Sequence, residues 1–339
     1  MRTVIVVGAG ASQECGLPIG SRLTQDIAGL LNLKHDGWRQ SAGDELISLA
    51  INKKTARPQE YYEAAMDMSK AMALAPSIDN YLDSHAGNVP IETCGKLAIV
   101  RAILQAERSS TMFLGDTLGR LPALDFDQLK DTWYVAFWRL LAQNKRVDDL
   151  TERLDRVTFV IFNYDRCVEH FLFNSIQTYY RVMPEKAAEI LRHLKVFHPY
   201  GSVGALPWNS HDRIAYGATP SADQLVNLSE RIKTFTEGTD PNSSEIDEIR
   251  AQFRDANTVL FLGFHYHPQN LALLRPSDAR AHQRLDIRYY GTGFGLSHAD
   301  RESVVEDLEG LTGIDSSAVR IADFKCAQVF REFSRRLLI

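Results

Sequence analysis

Five short stretches carry residue types that could grip a nucleotide and act on it. In "GAGAS" (Gly8–Ser12) a hydrophobic run drives straight into glycines, and bare backbone amides ahead of a helical segment suit a phosphate. The same residues also serve as an ordinary strand-to-helix turn. Gly8 and Gly10 fit G-x-G-x-x-G, but its third glycine falls on Gln13. A dinucleotide oxidoreductase would further want an acidic residue closing a second strand about 20 residues on, where this chain reads as helix. "NYD" puts an amide, Asn163, and a carboxylate, Asp165, two residues apart just past a buried run. Such a pair can hydrogen-bond ribose hydroxyls, a carboxamide or a water, and either residue can instead cap the helix beginning near Arg166. "HPYGS" (His198–Ser202) offers an imidazole that titrates near neutrality, the Tyr200 hydroxyl and a glycine turn, with Trp208 downstream as a flat wall for a ring. A strand-end histidine equally serves as a structural group. "FLGFHYHPQN" (Phe261–Asn270) and "YYGTGFGLS" (Tyr289–Ser297) read as strands whose glycines permit close approach to something.

These stretches need a scaffold that brings them together, and the periodicity supplies one. "SRLTQDIAGLLNL", "QEYYEAAMDMSKAMAL", "IETCGKLAIVRAILQAERSS" and "FDQLKDTWYVAFWRLLAQNK" have helical apolar spacing, so residues 30 to 150 read as a helical layer inserted into something else. From Val157 onward short apolar runs alternate with helical segments: "VTFVIFNYD", "LKVFHPYGS", "TVLFLGF" and "LDIRYYGTGF". That alternation predicts parallel strands joined by crossover helices. The expected fold is one α/β domain over 1–339, a Rossmann-like, doubly wound, mostly parallel sheet with the large helical insertion at 30–150. Its chemistry should gather at the C-terminal ends of the strands.

Composition narrows the partners. With 339 residues, 45% hydrophobic and 24% charged, the chain can bury a sizeable core. A formal charge of -5 gives no global reason to bind nucleic acid or an anionic membrane. No apolar run approaches the roughly 20 residues of a membrane helix, and Met1 runs directly into the first strand without a signal peptide, so a cytoplasmic location is expected. Cys15, Cys94, Cys167 and Cys326 are too dispersed for a C-x-x-C site. No metal is expected, and Cys167 reads as a packing residue.

Taken together and in order, "GAGAS...GLP", "NYD", "HPYGS", "FLGFHYHPQN" and "GTGFGLS" resemble the sirtuin-like superfamily, and its bacterial antiphage NAD-hydrolase branch more than the protein deacylases. The resemblance implies an enzyme that binds NAD as substrate and cleaves the bond between nicotinamide and ribose. Gly8, Ala9, Gly10 and Ser12 would lie in the phosphate cradle, with Gly201, Ser202, Gly263, Asn270, Gly291 and Thr292 completing the nucleotide-binding set. Asn163 would orient ribose or water, and Asp165 would face the carboxamide. Two departures stand out. The paired cysteines of the deacylase zinc ribbon are absent, and Ile19, Gly20 and Ser21 follow "GLP" where deacylases carry an aromatic and an arginine. The family's general-base histidine directly precedes a glycine, and Tyr200 holds that position here, so His198, two residues earlier, becomes the expected base. Chains of this size in the branch resemble those paired with a HerA-type hexameric ATPase, which implies a homo-oligomer within a larger ring. The helical insertion and "CAQVFREFSRRLLI" are the expected oligomer surfaces. A nucleotide-binding sensor or scaffold with a degenerate site, and a sirtuin-type deacylase, are the rival readings.

Overall fold

Thr3–Val7 (β1) is five residues of Thr, Val and Ile, all buried, as a strand covered on both faces must be. The computed structural model describes residues 2–36, 39–115, 123–209, 213–238, 244–275, 287–313 and 315–337. In it β1 pairs in parallel with Val157–Ile161 (β2) on one side and Thr258–Leu262 (β4) on the other. Lys195–Phe197 (β3) extends the sheet beyond β2, and Arg288–Thr292 (β5) and Val319–Ala322 (β6) extend it beyond β4. The order is β3-β2-β1-β4-β5-β6, parallel throughout. This is a Rossmann-like α/β fold. Strand order reverses between β1 and β4, so the two turns leaving those strands flank the crevice where such sheets hold ligands.

Because strand side chains alternate, β1 feeds two cores. Val4 and Val6 join one cluster, Ile5 and Val7 the other. The first cluster gathers helices Gly20–Leu31 (α1), Glu45–Lys54, Pro58–Ala71, Ile78–Ser84 and Val89–Ser109 of the insertion. The second contains Trp133, Tyr134, Phe137 and Trp138 of helix Trp133–Ala142, with residues of Cys167–Tyr180 and Cys326–Phe333. The segment 30–150 is therefore not one helical layer. It divides over both faces of the sheet, because its last long helix forms the crossover into β2 while the earlier ones cover the opposite face.

Other boundaries also depart from the sequence expectation. "FDQLKDTWYVAFWRLLAQNK" breaks into Phe126–Leu129 and Trp133–Ala142. Glu14 explains where the second piece starts: its carboxylate accepts the Trp133 amide at 2.7 Å and the Ala327 amide at 3.2 Å, capping two helices with one side chain. The apolar stripe of "CAQVFREFSRRLLI" is core, with the Phe330 ring stacked on Trp133 at 6.1 Å. Those residues are thus spent on packing within the chain, and Leu338 and Ile339 lie outside the described residues, as do Leu285 and Asp286. No helix of the described residues is long and apolar enough to cross a membrane.

Two polar contacts fasten the insertion to the end of β2. Tyr164 donates its hydroxyl to Asp79 of Ile78–Ser84. Arg166 pairs with Glu107 of Val89–Ser109 at 2.5 and 3.0 Å, both side chains essentially sealed from solvent. Arg166 also donates to the carbonyls of Ile214, Ala215 and Gly204, while Glu107 accepts the Gly217 amide at 2.9 Å. Buried charges require such complete pairing.

Candidate functional site

Register places the centre of the site. Val7 sits opposite Ile161, and the Phe162 amide continues the ladder onto the Val7 carbonyl, so Asn163 leaves β2 beside the glycine turn that ends β1. Its Nδ2 donates to the Gly8 carbonyl at 3.0 Å and to Ser12 Oγ at 3.1 Å. A carbonyl can only accept, which fixes the orientation of the amide. Oδ1 is left with no hydrogen bond from the described residues, as an acceptor for a ligand hydroxyl or a water.

The glycines here are dictated first by backbone meeting backbone. A Cβ on Gly8 would lie 2.5 Å from the Gly263 carbonyl and 2.6 Å from Phe264 Cα, and one on Gly10 would lie 3.0 Å from Gly263 Cα. Gly263, at φ 55°, has no room for a Cβ against Ala11 N. The Gly10 amide is spent on the Gly263 carbonyl at 3.0 Å, while no described residue supplies an acceptor for the Ala9 amide. The phosphate-binding capacity of this turn is thus narrower than its sequence suggests, and bulk at Gly10 probes turn packing before ligand. Gly8→Ala is expected to cost about 1–3 kcal/mol by overpacking. Gly29→Ala, where a Cβ meets nothing within 4 Å inside α1, is expected to stabilise by about 0.5–1 kcal/mol. Urea unfolding of both variants checks the contrast, and equal midpoints would refute the packing account.

His198 and Asn163 do come together, but through the backbone. His198 Nδ1 lies 3.3 Å from the Asn163 carbonyl and Nε2 2.9 Å from Glu169 Oε1. Both partners are acceptors, so the ring is best satisfied with a proton on each nitrogen, as an imidazolium with no lone pair left for catalysis. Burial works to lower its pKa, but the Glu169 carboxylate and the two hydrogen bonds outweigh burial and raise it above the ordinary 6.5. The second oxygen of Glu169, Oε2, is buried without a hydrogen-bond partner among the described residues. Glu169 was not legible as a site residue, since in "DRCVEHFL" it reads as an ordinary helix charge.

The sign of the resulting pH effect follows from the raised value. Stability contributed by His198 is fully present below the imidazole's unfolded pKa and is lost as pH rises through the folded one. The stability deficit of Glu169→Gln relative to wild type is therefore expected to be larger near about pH 6 than near about pH 9. Chemical denaturation of both proteins across that range tests it; a deficit independent of pH would remove the ion pair from the account.

The remaining expected site residues have definite places. Tyr200 is buried, donates its hydroxyl to Asn270 Oδ1 at 2.5 Å and packs edge-on against Phe162. Burial pushes its pKa well above the ordinary 10, so the phenol keeps its proton. Asp165 accepts the Cys167 amide at 3.1 Å, which is the helix-start role. Thr292 Oγ1 accepts the Gly263 amide at 2.8 Å and its carbonyl accepts the Tyr266 hydroxyl at 3.0 Å. Gly291 lies beneath that hydroxyl, with no space for a Cβ. Gly201, at φ 77°, closes a turn onto the His198 carbonyl and abuts the Arg231 carbonyl, and Ser202 beside it is half-buried. Trp208 stacks on Phe173 at 4.9 Å, so that face of the indole is taken. The Cys167 thiol is buried and held far above its ordinary pKa by burial first and Asp165 second, as befits a packing residue. Among the described residues no group of three or more His, Cys, Asp or Glu could hold a metal ion.

The fold defines a doubly wound α/β protein whose strand-end motifs contact one another around the ends of β1 and β4. No protein-family model and no curated protein matches the chain.

Proposed function

We propose that this chain is an NAD glycohydrolase. The observation that carries the reading is Asn163: its amide is locked across the β1 turn by Gly8 and Ser12, and its free Oδ1 stands where strand order reverses. Departure of nicotinamide leaves an oxocarbenium-like ribose, and a preorganised dipole beside it lowers the barrier without reorganising at the moment of reaction. The Ala9 amide, which no described residue engages, is the group of the turn available to the phosphates, while the buried Ser12 hydroxyl holds Asn163. In the setting the motifs imply, the enzyme would deplete NAD during antiphage defence, with its trigger in assembly or in a separate partner such as a HerA-type ATPase. Nicotinamide release from NAD by the purified chain, alone and with such a partner, tests the proposal; NAD left intact under both conditions refutes it.

One observation favours a second reading, a nucleotide-binding sensor or scaffold. His198 and Tyr200 are both committed to protein partners, and a site without a base would bind NAD and leave it whole. Calorimetric binding of NAD with no turnover would select that reading.

A further inference from the structure

We propose that His265, on the strap leaving β4, is the group that accepts the proton of the attacking water; the assignment rests on the hydrolase reading above. Four observations lead to it. His265 and His267 are both exposed, and neither makes a hydrogen bond or ion pair with any described residue, in contrast to His198 with both nitrogens engaged. The strap also runs along the glycine turn. Phe264 Cα lies 2.6 Å from where a Gly8 Cβ would be, and one peptide advances the chain by about 3.8 Å, so His265 Cα lies within roughly 6.5 Å of that point. Asn163 Nδ2 reaches the same residue, Gly8, from the other side.

The strap is held rather than loose. Between the two histidines Tyr266 adopts φ 53°, a left-handed conformation that is unfavourable for a non-glycine residue. Its surroundings enforce it: the ring is buried, the hydroxyl is anchored on the Thr292 carbonyl, and the Gly263 amide is tied to Thr292 Oγ1. A buried tyrosine with reversed backbone hand thus lies between two exposed, unpartnered imidazoles, beside the point where strand order changes. Such strain persists where the surrounding structure requires it, and functional positions are where it collects. His265 is preferred to His267 because it is two residues nearer Gly8, whereas His267 directly precedes Pro268 and the helix Pro268–Leu274.

The step balances as follows. The bond between ribose C1′ and the pyridinium nitrogen breaks, and its electron pair goes to that nitrogen, giving neutral nicotinamide. The water oxygen bonds to C1′, its proton passes to the imidazole of His265, and solvent later removes it. The Asn163 Oδ1 orients the water or an adjacent ribose hydroxyl.

Two variants of the full chain, His265→Gln and His267→Gln, separate the possibilities. The readouts are nicotinamide release at saturating NAD, NAD affinity by calorimetry, and histidine ring resonances before and after NAD addition. His265→Gln is expected to lose about 100-fold or more in turnover with affinity retained. His267→Gln should leave turnover and affinity unchanged, and in the wild type NAD should move the His265 ring signals. Full turnover in His265→Gln, loss confined to His267→Gln, or His265 signals indifferent to NAD overturns the assignment while leaving the hydrolase reading standing. Wild-type protein that binds NAD but releases no nicotinamide overturns the hydrolase reading, and the base role with it, so the two failures are distinguishable.

Discussion

Asn163→Ala is expected to lower nicotinamide release at saturating NAD by about 100-fold or more, the usual cost of removing one preorganised polar contact from a reacting centre. The side chain acts in two directions. Nδ2 holds the Gly8 carbonyl and the Ser12 hydroxyl in place, and Oδ1 takes no hydrogen bond from the described residues. Truncation removes both, so stability should fall too, by about 1–3 kcal/mol, as Gly8 and Ser12 lose a buried donor. Ser12→Ala separates these effects: it deletes one of the two acceptors and leaves Oδ1 intact, so its loss of turnover should be much the smaller. The measurement is initial nicotinamide release for both variants, with unfolding followed in parallel. Unimpaired turnover in Asn163→Ala would take this residue out of the mechanism.

The scaffold was legible to the extent that hydrophobic runs report strands. β1, β2 and β4 are runs of β-branched and other apolar residues with one threonine each, and the glycines and polar residues that follow mark their C-terminal ends. β6 was missed because Val319–Ala322 is a four-residue strand at the sheet edge carrying Arg320, so no buried run betrays it. The division of the insertion over two faces was invisible for a different reason: periodicity shows that a helix has an apolar side, not which core receives it. At the site, residue types were readable and partners were not. His198 looked like a base because nothing in "HPYGS" reveals that a backbone carbonyl and a helix glutamate occupy its two nitrogens. Likewise, Gly263 looked like a ligand-approach glycine, and its nearest neighbour turns out to be the backbone of Gly10 and Ala11.

The pair Arg166 and Glu107, 59 residues apart, was equally hidden, and replacing either member is expected to cost about 3–5 kcal/mol of stability. The two halves are not equivalent. In Arg166→Met the stranded Glu107 carboxyl, already pushed toward protonation by burial, can take up a proton and keep the Gly217 amide as a partner. In Glu107→Leu the guanidinium cannot shed its charge, and carbonyls alone must solvate it, so this variant should be the less stable of the two. Replacing a buried ion pair by apolar residues is often close to neutral. Here it should not be, because the Met/Leu double variant leaves the carbonyls of Ile214 and Ala215 and the amide of Gly217 without their present partners. The double variant should therefore be more stable than the sum of the single losses predicts, yet remain well below wild type. Because Arg166 lies three residues beyond Asn163, turnover should fall along with stability. Urea denaturation of the three proteins decides: a double variant as stable as wild type would show the pair to be dispensable, and single losses below about 0.5 kcal/mol would show that it is not buried as described.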